Sequence, residues 1–156
     1  MTDPVVVSLS VAAPPETVYG LVADLARMSE WSPETTEIRW LDGATQAQVG
    51  ARFRGTNRNG FRRWNTICTV VTAVPGIELS WRSSSFGLSV ALWTYRFTAD
   101  GESGTTVTES TQDERGALMR LLAPLATGVR DRAAHNEDTM LATLQRLKGE
   151  AERSSA

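Results

Sequence analysis

Three side chains in this sequence could transfer protons: Tyr95, Glu109 and His135. Strand alternation places Tyr95 and Glu109 on the inward faces of two consecutive predicted strands, where loss of solvation would raise the pKa of a carboxyl group. Such a group can donate or accept a proton, as can a histidine near neutral pH. The three residues form no recognised catalytic signature. A structural role for Glu109, bonded to Tyr95, an arginine or backbone N–H groups, is the preferred interpretation, and His135 is predicted to face solvent.

Other reactive groups are scarce in the chain. One cysteine, Cys68, and one histidine exclude an internal disulfide, a cysteine-rich metal site and a multi-histidine metal site. Cys68 occupies an inward strand position without a base at a suitable spacing, so we interpret it as a small buried residue, not a nucleophile. No glycine-rich phosphate loop opens a helix. We therefore predict neither a metal nor a cofactor.

One basic cluster is interleaved with aromatic residues, a pattern that also occurs in nucleic-acid-binding proteins. The cluster comprises Arg52, Arg54, Arg58, Arg62 and Arg63, with Phe53 and Phe61 between them and Trp64 directly after them. The net charge of −2 and a pI near 5.5 argue against nucleic acid as a partner. Alternation turns several of these arginines outward, so contact with an anionic ligand group at the mouth of a hairpin is the better alternative.

The reactive residues are distributed over a series of strands that precedes a long helix. Short runs rich in β-branched and aromatic residues, separated by turn signals such as Asn59-Gly60, predict antiparallel strands. They cover residues 5–11, 35–41, 49–57, 62–74, 77–83, 88–99 and 104–112. Pro14 and Pro15 open a first helix. Leucines at helical spacing predict a long amphipathic helix over about 114–148, bent at Pro124 or Gly128, with a frayed tail after Gly149. This order indicates an α+β fold.

Alternation also predicts which side chains face the interior between the sheet and the last helix. The predicted inward set contains large rings together with small or polar residues. It comprises Trp40, Phe53, Asn57, Trp64, Thr66, Cys68, Trp81, Trp93, Tyr95, Glu109, Asn136 and Met140. These rings could simply fill a core. However, a solid core should not hold an unpaired carboxylate, so the mixture favours a ligand cavity.

Several motifs, taken in order, resemble a known family. They include Ala13-Pro14-Pro15-Glu16-Thr17-Val18-Tyr19, Trp31-Ser32-Pro33 and Gly104-Thr105-Thr106-Val107-Thr108-Glu109-Ser110, followed by Asn136 and Met140 on the final helix. Over about residues 5–148 the chain resembles the START-like (SRPBCC) superfamily, in its polyketide cyclase/dehydrase and lipid-transport branch. The resemblance implies a helix-grip fold: a curved antiparallel sheet of about seven strands around a long C-terminal helix. One or two short helices are then expected between strands 1 and 2, all within a single domain spanning 1–156.

Two main functions follow from this resemblance and the predicted cavity. The first is binding of a small hydrophobic molecule: a polyketide, a lipid or a quinone-like compound. The second is an enzyme, a polyketide cyclase or dehydratase that uses the same cavity, and the sequence leaves this choice open. A third interpretation is a homodimer or subunit that binds another protein. No signal peptide or membrane-length apolar segment is evident, so we expect a cytoplasmic protein with no membrane partner.

Overall fold

Seven antiparallel strands form one sheet in the order β1-β7-β6-β5-β4-β3-β2. The computed structural model describes residues 2–156. Its strands are β1 (Val5–Val11), β2 (Thr35–Trp40), β3 (Arg52–Asn59), β4 (Arg62–Val74), β5 (Glu78–Ser85), β6 (Leu88–Asp100) and β7 (Gly104–Asp113). The predicted antiparallel meander is therefore confirmed. Strand β3 begins at Arg52 and not at residue 49, because Gly50 has a left-handed backbone with φ of +88°.

The first strand pairs with the last, and short helices carry the chain to the opposite edge of the sheet. Val5 of β1 lies opposite Thr111 of β7, and Val11 lies opposite Thr105. The connection contains α1 (Pro15–Ala23), a 3-10 turn (Leu25–Arg27) and α2 (Met28–Trp31). Pro15 lies in the first turn of α1, where the missing N–H has no intrahelical acceptor. The short helices predicted between strands 1 and 2 are confirmed.

The C-terminal region forms two helices and not the single bent helix that we predicted. Helix α3 covers Ala117–Thr127, and α4 covers Arg132–Ser155. The break lies at Gly128, whose left-handed φ of +73° ends α3 while its N–H donates to the Pro124 carbonyl. Asp131 then caps α4 by accepting a hydrogen bond from the Ala134 N–H at 3.1 Å. Pro124 itself remains inside α3.

The end of α4 is helical, so the predicted fraying after Gly149 is wrong. Ala151 is fully buried in the core, and the Glu152 carboxylate accepts a hydrogen bond from the Ala12 N–H at 3.0 Å. Lys148 also pairs with Glu152 and donates to the Ser10 carbonyl. These tertiary contacts with the end of β1 hold the last turns of the helix.

The two glycines of this region should respond to alanine in opposite directions. A Cβ at Gly128 meets a left-handed backbone and the flexible end of Arg62, whereas Gly149 lies within α4 with open space around it. We expect Gly128→Ala to destabilise the protein by about 1–2 kcal/mol. Gly149→Ala should stabilise it by about 0.5–1 kcal/mol. Urea unfolding of both variants measures these changes in the free energy of unfolding. Equal changes in the two variants would contradict the helix break at Gly128.

The apolar core occupies one end of the space between the sheet and the helices. Here α1 and the C-terminal half of α4 pack on the sheet through Val18, Leu144 and Leu147, and Leu79 and Val107 meet them from the strands. All five side chains are at most 1% exposed. The N-terminal half of α4 faces a cavity and not this core. No helix within residues 2–156 is both long enough and apolar enough to cross a bilayer.

Candidate ligand-binding site

A cavity of about 980 Å³ occupies the other end of this space. Its inner wall is formed by β3 to β7, its outer wall by the N-terminal half of α4, and its cover by α3. The segment contributing α3 is thinly packed, with Leu121 72% exposed and Leu125 75% exposed. The helix break at Gly128 thus turns α3 away from α4 and across the opening of the cavity.

The structure places every residue of the predicted inward set on the cavity wall except Trp40. The lining members are Phe53, Asn57, Trp64, Thr66, Cys68, Trp81, Trp93, Tyr95, Glu109, Asn136 and Met140. Trp40 is a correction: it lines a separate depression beside Tyr19 and Ala73. It faces the same side of the sheet as its cross-strand partner Phe53, but Phe53 lies between it and the cavity. Alternation determines the face of a side chain, not its position along the strand.

An array of aromatic rings gives the cavity wall its shape. Phe53 and Trp81 pack edge to face with ring centroids 5.9 Å apart, and Trp81 stacks on Tyr95 at 5.6 Å. Such pairs contribute about 0.5–1.5 kcal/mol each beyond their buried area. The rings therefore hold one another in place and present an apolar surface to a ligand.

One hydrogen bond joins two of the candidate proton-transfer residues on this wall. The Tyr95 hydroxyl donates to Glu109 Oε1 at 2.7 Å, across directly opposed positions of β6 and β7. Burial raises the pKa of Glu109 to about 8, and the bond from Tyr95 only partly offsets this. The pKa of Tyr95 is also raised, by burial and by the adjacent Glu109. Of the partners expected for a structural carboxylate, Tyr95 is present, and neither an arginine nor a backbone N–H of the described chain bonds to it.

Two polar atoms on the cavity wall have no partner among the described residues. They are Glu109 Oε2 and Thr111 Oγ1, both fully buried. The two residues occupy successive inward positions of β7 and are each 3% exposed. Buried polar groups are normally hydrogen-bonded, so these two atoms require a partner that the protein itself does not supply.

His135 lies outside the cavity wall, near the start of α4. Its Nε2 is 2.6 Å from Glu34 Oε2, which also accepts a hydrogen bond from Arg132 at 3.1 Å. The side chain is 28% exposed, so the predicted solvent contact is partial. The structure therefore brings Tyr95 and Glu109 together but leaves His135 in a separate ion-pair cluster.

Cys68 has the environment of a buried apolar residue. Its thiol is 3.8 Å from the Thr66 hydroxyl, and burial raises its pKa to about 12. A thiolate is therefore not accessible near neutral pH. Within residues 2–156, no cluster of His, Cys, Asp and Glu could hold a metal ion.

The arginines of the β3–β4 hairpin do not reach the cavity. Arg58 donates to the Gly60 carbonyl at 2.7 Å. Arg62 donates to the Leu125 carbonyl at 3.2 Å and lies over the Phe61 ring. The cavity arginines come from a different part of the chain: Arg115, Arg120, Arg130 and Arg132. The predicted contact between the hairpin arginines and an anionic ligand group therefore has no support in this geometry.

Sequence reasoning missed the cover of the cavity. Leu118, Met119, Leu122 and Ala123 of α3 line the cavity, as does Thr143 of α4. The leucines of α3 have helical spacing in the sequence. However, a prediction of one continuous helix over 114–148 places these leucines along the sheet and not over the cavity. A helix-ending glycine at 128, followed by Asp131 as an N-cap, was the signal that could have separated the two helices.

A family model described as "Polyketide cyclase / dehydrase and lipid transport" matches residues 4–152. The chain therefore belongs to this family, which confirms the predicted resemblance. No curated protein sequence matches the chain.

Solved structures share the fold at low sequence identity. The Zhui aromatase/cyclase from Streptomyces sp. R1128 has 19% identity and a TM-score of 0.66, over 97% of this chain and 94% of its own. Protein CV1439 from Chromobacterium violaceum has 14% identity and a TM-score of 0.72, over 97% and 99%. The di-domain ARO/CYC StfQ from the steffimycin biosynthetic pathway has 14% identity and a TM-score of 0.68, over 97% of this chain and 52% of its own. The helix-grip architecture is thus common to all of them.

Proposed function

We propose that this protein binds a small, mainly apolar molecule, such as a polyketide, a lipid or a quinone-like compound, in the cavity between the sheet and α3 and α4. The observation that carries the proposal is the cavity of about 980 Å³ with its aromatic wall. This volume lies at the upper end of the roughly 300–1,000 Å³ typical of ligand sites. Membership of the family supports the same proposal.

A polyketide cyclase or dehydratase is the second candidate function, and the Tyr95–Glu109 pair favours it. A carboxyl group with a pKa of about 8 is suited to general acid or base work near neutral pH. Two neighbours of similar fold are named as aromatase/cyclase proteins. Against it, His135 is separate from this pair, so no second proton-transfer group of suitable pKa adjoins Glu109.

Native mass spectrometry of protein purified from its own host tests the proposed binding. We expect an added mass that organic extraction removes, together with saturable binding of the neutral dye Nile red to the extracted protein. The aromatic wall and the cavity volume of about 980 Å³ are the physical reasons for this expectation. A protein that has only its own mass and fails to enhance Nile red fluorescence would contradict the proposal.

The Glu109→Gln variant separates binding from catalysis. Gln keeps the shape and hydrogen-bonding capacity of the side chain but cannot transfer a proton. We therefore expect the Nile red affinity of the variant to stay within about threefold of wild type, a change smaller than the ~1 kcal/mol of one hydrogen bond. Turnover of a polyketide-like substrate should be absent from both proteins if the function is binding alone. Wild-type turnover that falls a hundredfold or more in the variant, with affinity intact, would establish the enzyme instead.

We further propose a cytoplasmic location, a single domain over 1–156 and no nucleic-acid partner. The single cysteine and the acidic pI support these proposals. A homodimer remains a proposal, which sedimentation velocity at several protein concentrations tests. A concentration-independent monomer would contradict it.

A further inference from the structure

The unpartnered atoms on β7 lie at one place on the cavity wall. Glu109 is opposite Tyr95 on β6 and Val7 on β1, and Thr111 is opposite Trp93 and Val5. Both side chains therefore lie between the aromatic rings of β6 and the valines of β1. Successive inward residues of a strand have Cα atoms roughly 6.5 Å apart. Glu109 Oε2 and Thr111 Oγ1 therefore form a compact polar spot beside the aromatic rings of the cavity wall.

The hydrogen-bonding roles of these atoms follow from the bond that Glu109 already makes. The Tyr95 hydroxyl donates to Oε1, so in the neutral carboxyl group Oε1 is the acceptor and the proton lies on Oε2. Burial, which raises the pKa of Glu109 to about 8, maintains this neutral form near pH 7. The Thr111 hydroxyl also has a proton to donate. The spot thus offers two donors.

We infer that Glu109 and Thr111 form a two-donor anchor that selects apolar ligands with a carbonyl oxygen, such as ketones and quinones. This inference rests on the proposed binding function. A carbonyl oxygen accepts two hydrogen bonds and brings no donor that would be left unpaired. A ligand of this class supplies the hydrogen-bond partner that each of these two buried polar atoms lacks.

Charged ligand groups fit this anchor poorly. No cation of the described residues bonds to Glu109, and two of the cavity arginines are held by other carboxylates. Arg115 pairs with Asp113 at 2.8 Å, and Arg132 pairs with Glu34 at 3.1 Å. A ligand carboxylate would be buried without a counter-charge, and a ligand ammonium would require Glu109 to ionise in a desolvated site.

The groups around Glu109 determine which ionisation changes the anchor with pH. We expect it to be the ionisation of Glu109 itself. Strand β1 contributes no titratable side chain, β6 contributes Tyr95, and β4 contributes Cys68. The pKa values of both are raised, that of Cys68 to about 12. The part of α4 that lines the cavity from Asn136 to Thr143 presents no titratable group. The remaining charged lining residues are Asp3, Glu34, Asp113, Arg115, Arg120, Arg130, Asp131 and Arg132.

A matched series of tricyclic probes tests the inference. Fluorene, 9-fluorenone, fluorene-9-carboxylate and 9-aminofluorene share one skeleton and differ in one group, and each is titrated against bound Nile red at pH 6.5 and pH 9.5. At pH 6.5 we expect 9-fluorenone to bind about tenfold tighter than fluorene, as expected for two neutral hydrogen bonds in place of none. At pH 9.5 Glu109 ionises and loses its donor, so the preference should fall to threefold or less.

Variants distinguish a role in recognition from a role in structure. Glu109→Gln retains an N–H donor at every pH, so its preference for 9-fluorenone should persist at pH 9.5. Thr111→Val removes one donor with little change of shape and should reduce the preference at pH 6.5 to about threefold. Glu114→Gln is the control, because Glu114 lies outside the cavity and bonds to Arg82 and Ser89. It should behave as wild type at both pH values.

The outcomes separate this inference from the proposed function. Equal binding of fluorene and 9-fluorenone would overturn the anchor while leaving an apolar ligand cavity intact. Tighter binding of 9-aminofluorene or of the carboxylate than of the ketone would also overturn it. A preference that does not change between pH 6.5 and pH 9.5 would show that Glu109 is not one of the donors. Failure of Nile red and all four probes to bind would refute the proposed function and this inference with it.

Discussion

The stability of the wild-type protein is expected to fall as the pH rises from 5 to 8, and Glu109→Gln should remove much of that dependence. In the unfolded chain Glu109 ionises near its ordinary pKa of 4.5, whereas in the folded protein its pKa is about 8. Between these values the folded state holds one more proton. The stabilisation of the folded state by this bound proton is therefore complete below about pH 4.5. It is lost as the pH approaches 8, so the free energy of unfolding falls by about 1.4 kcal/mol per pH unit.

Urea unfolding of wild type and variant at several pH values between 5 and 9 measures this difference. Gln has no titration, and its amide can accept the hydrogen bond from Tyr95, so the variant should gain stability relative to wild type as the pH rises. Glu114→Gln is the matched control. Burial opposes ionisation of Glu114, but its bonds to Arg82 and Ser89 hold its pKa below the ordinary value. Parallel stability curves for wild type and Glu109→Gln would contradict the neutral, buried state of Glu109.

Thr66→Phe is expected to weaken Nile red binding with a loss of less than about 1 kcal/mol in stability, since the new ring enters a cavity, not a packed core. Thr66 lines the cavity on β4 and also faces Gly55, the neighbouring small residue of β3. The control is Val70→Phe, two inward positions further along the same strand. Val70 is 1% exposed and belongs to the core, so the same ring there should destabilise the protein by about 1–3 kcal/mol.

Thermal melts and dye titrations on the two Phe variants decide between a cavity and a filled core. Both readouts are needed, because loss of binding in an unfolded variant would carry no information about the site. Equal destabilisation at Thr66 and Val70 would show that the space at residue 66 is occupied by protein. Unchanged dye affinity in a stable Thr66→Phe variant would show that the dye does not contact the cavity wall at residue 66.

The sequence alone determined the strands, their antiparallel arrangement and the face that most of their side chains present. The reason is local: residues in a strand alternate between two faces, and one anchored aromatic residue per strand assigns the whole set. Phe53, Trp81 and Tyr95 face inward on this basis, and the structure places them on the cavity wall. Glu109, on a strand without an aromatic residue, is predicted to face inward together with Val107, and the structure places it on the cavity wall as well. Sequence motifs also indicated the family, because their order along the chain reflects the fold.

Only the tertiary structure decided which inward side chains reach the cavity and which of their polar atoms are already bonded, because both depend on positions along and between the elements. Phe53 separates Trp40 from the cavity, and the backbone at Gly128 directs α3 across the opening, although helical spacing continues on both sides of the break. Strand register brings Tyr95 opposite Glu109, so that the Tyr95 hydroxyl donates its hydrogen bond to one oxygen of the carboxyl group. The other oxygen and the Thr111 hydroxyl then lack partners. Alternation predicts an inward carboxylate, but only the packing around it determines which of its atoms remain available to a ligand.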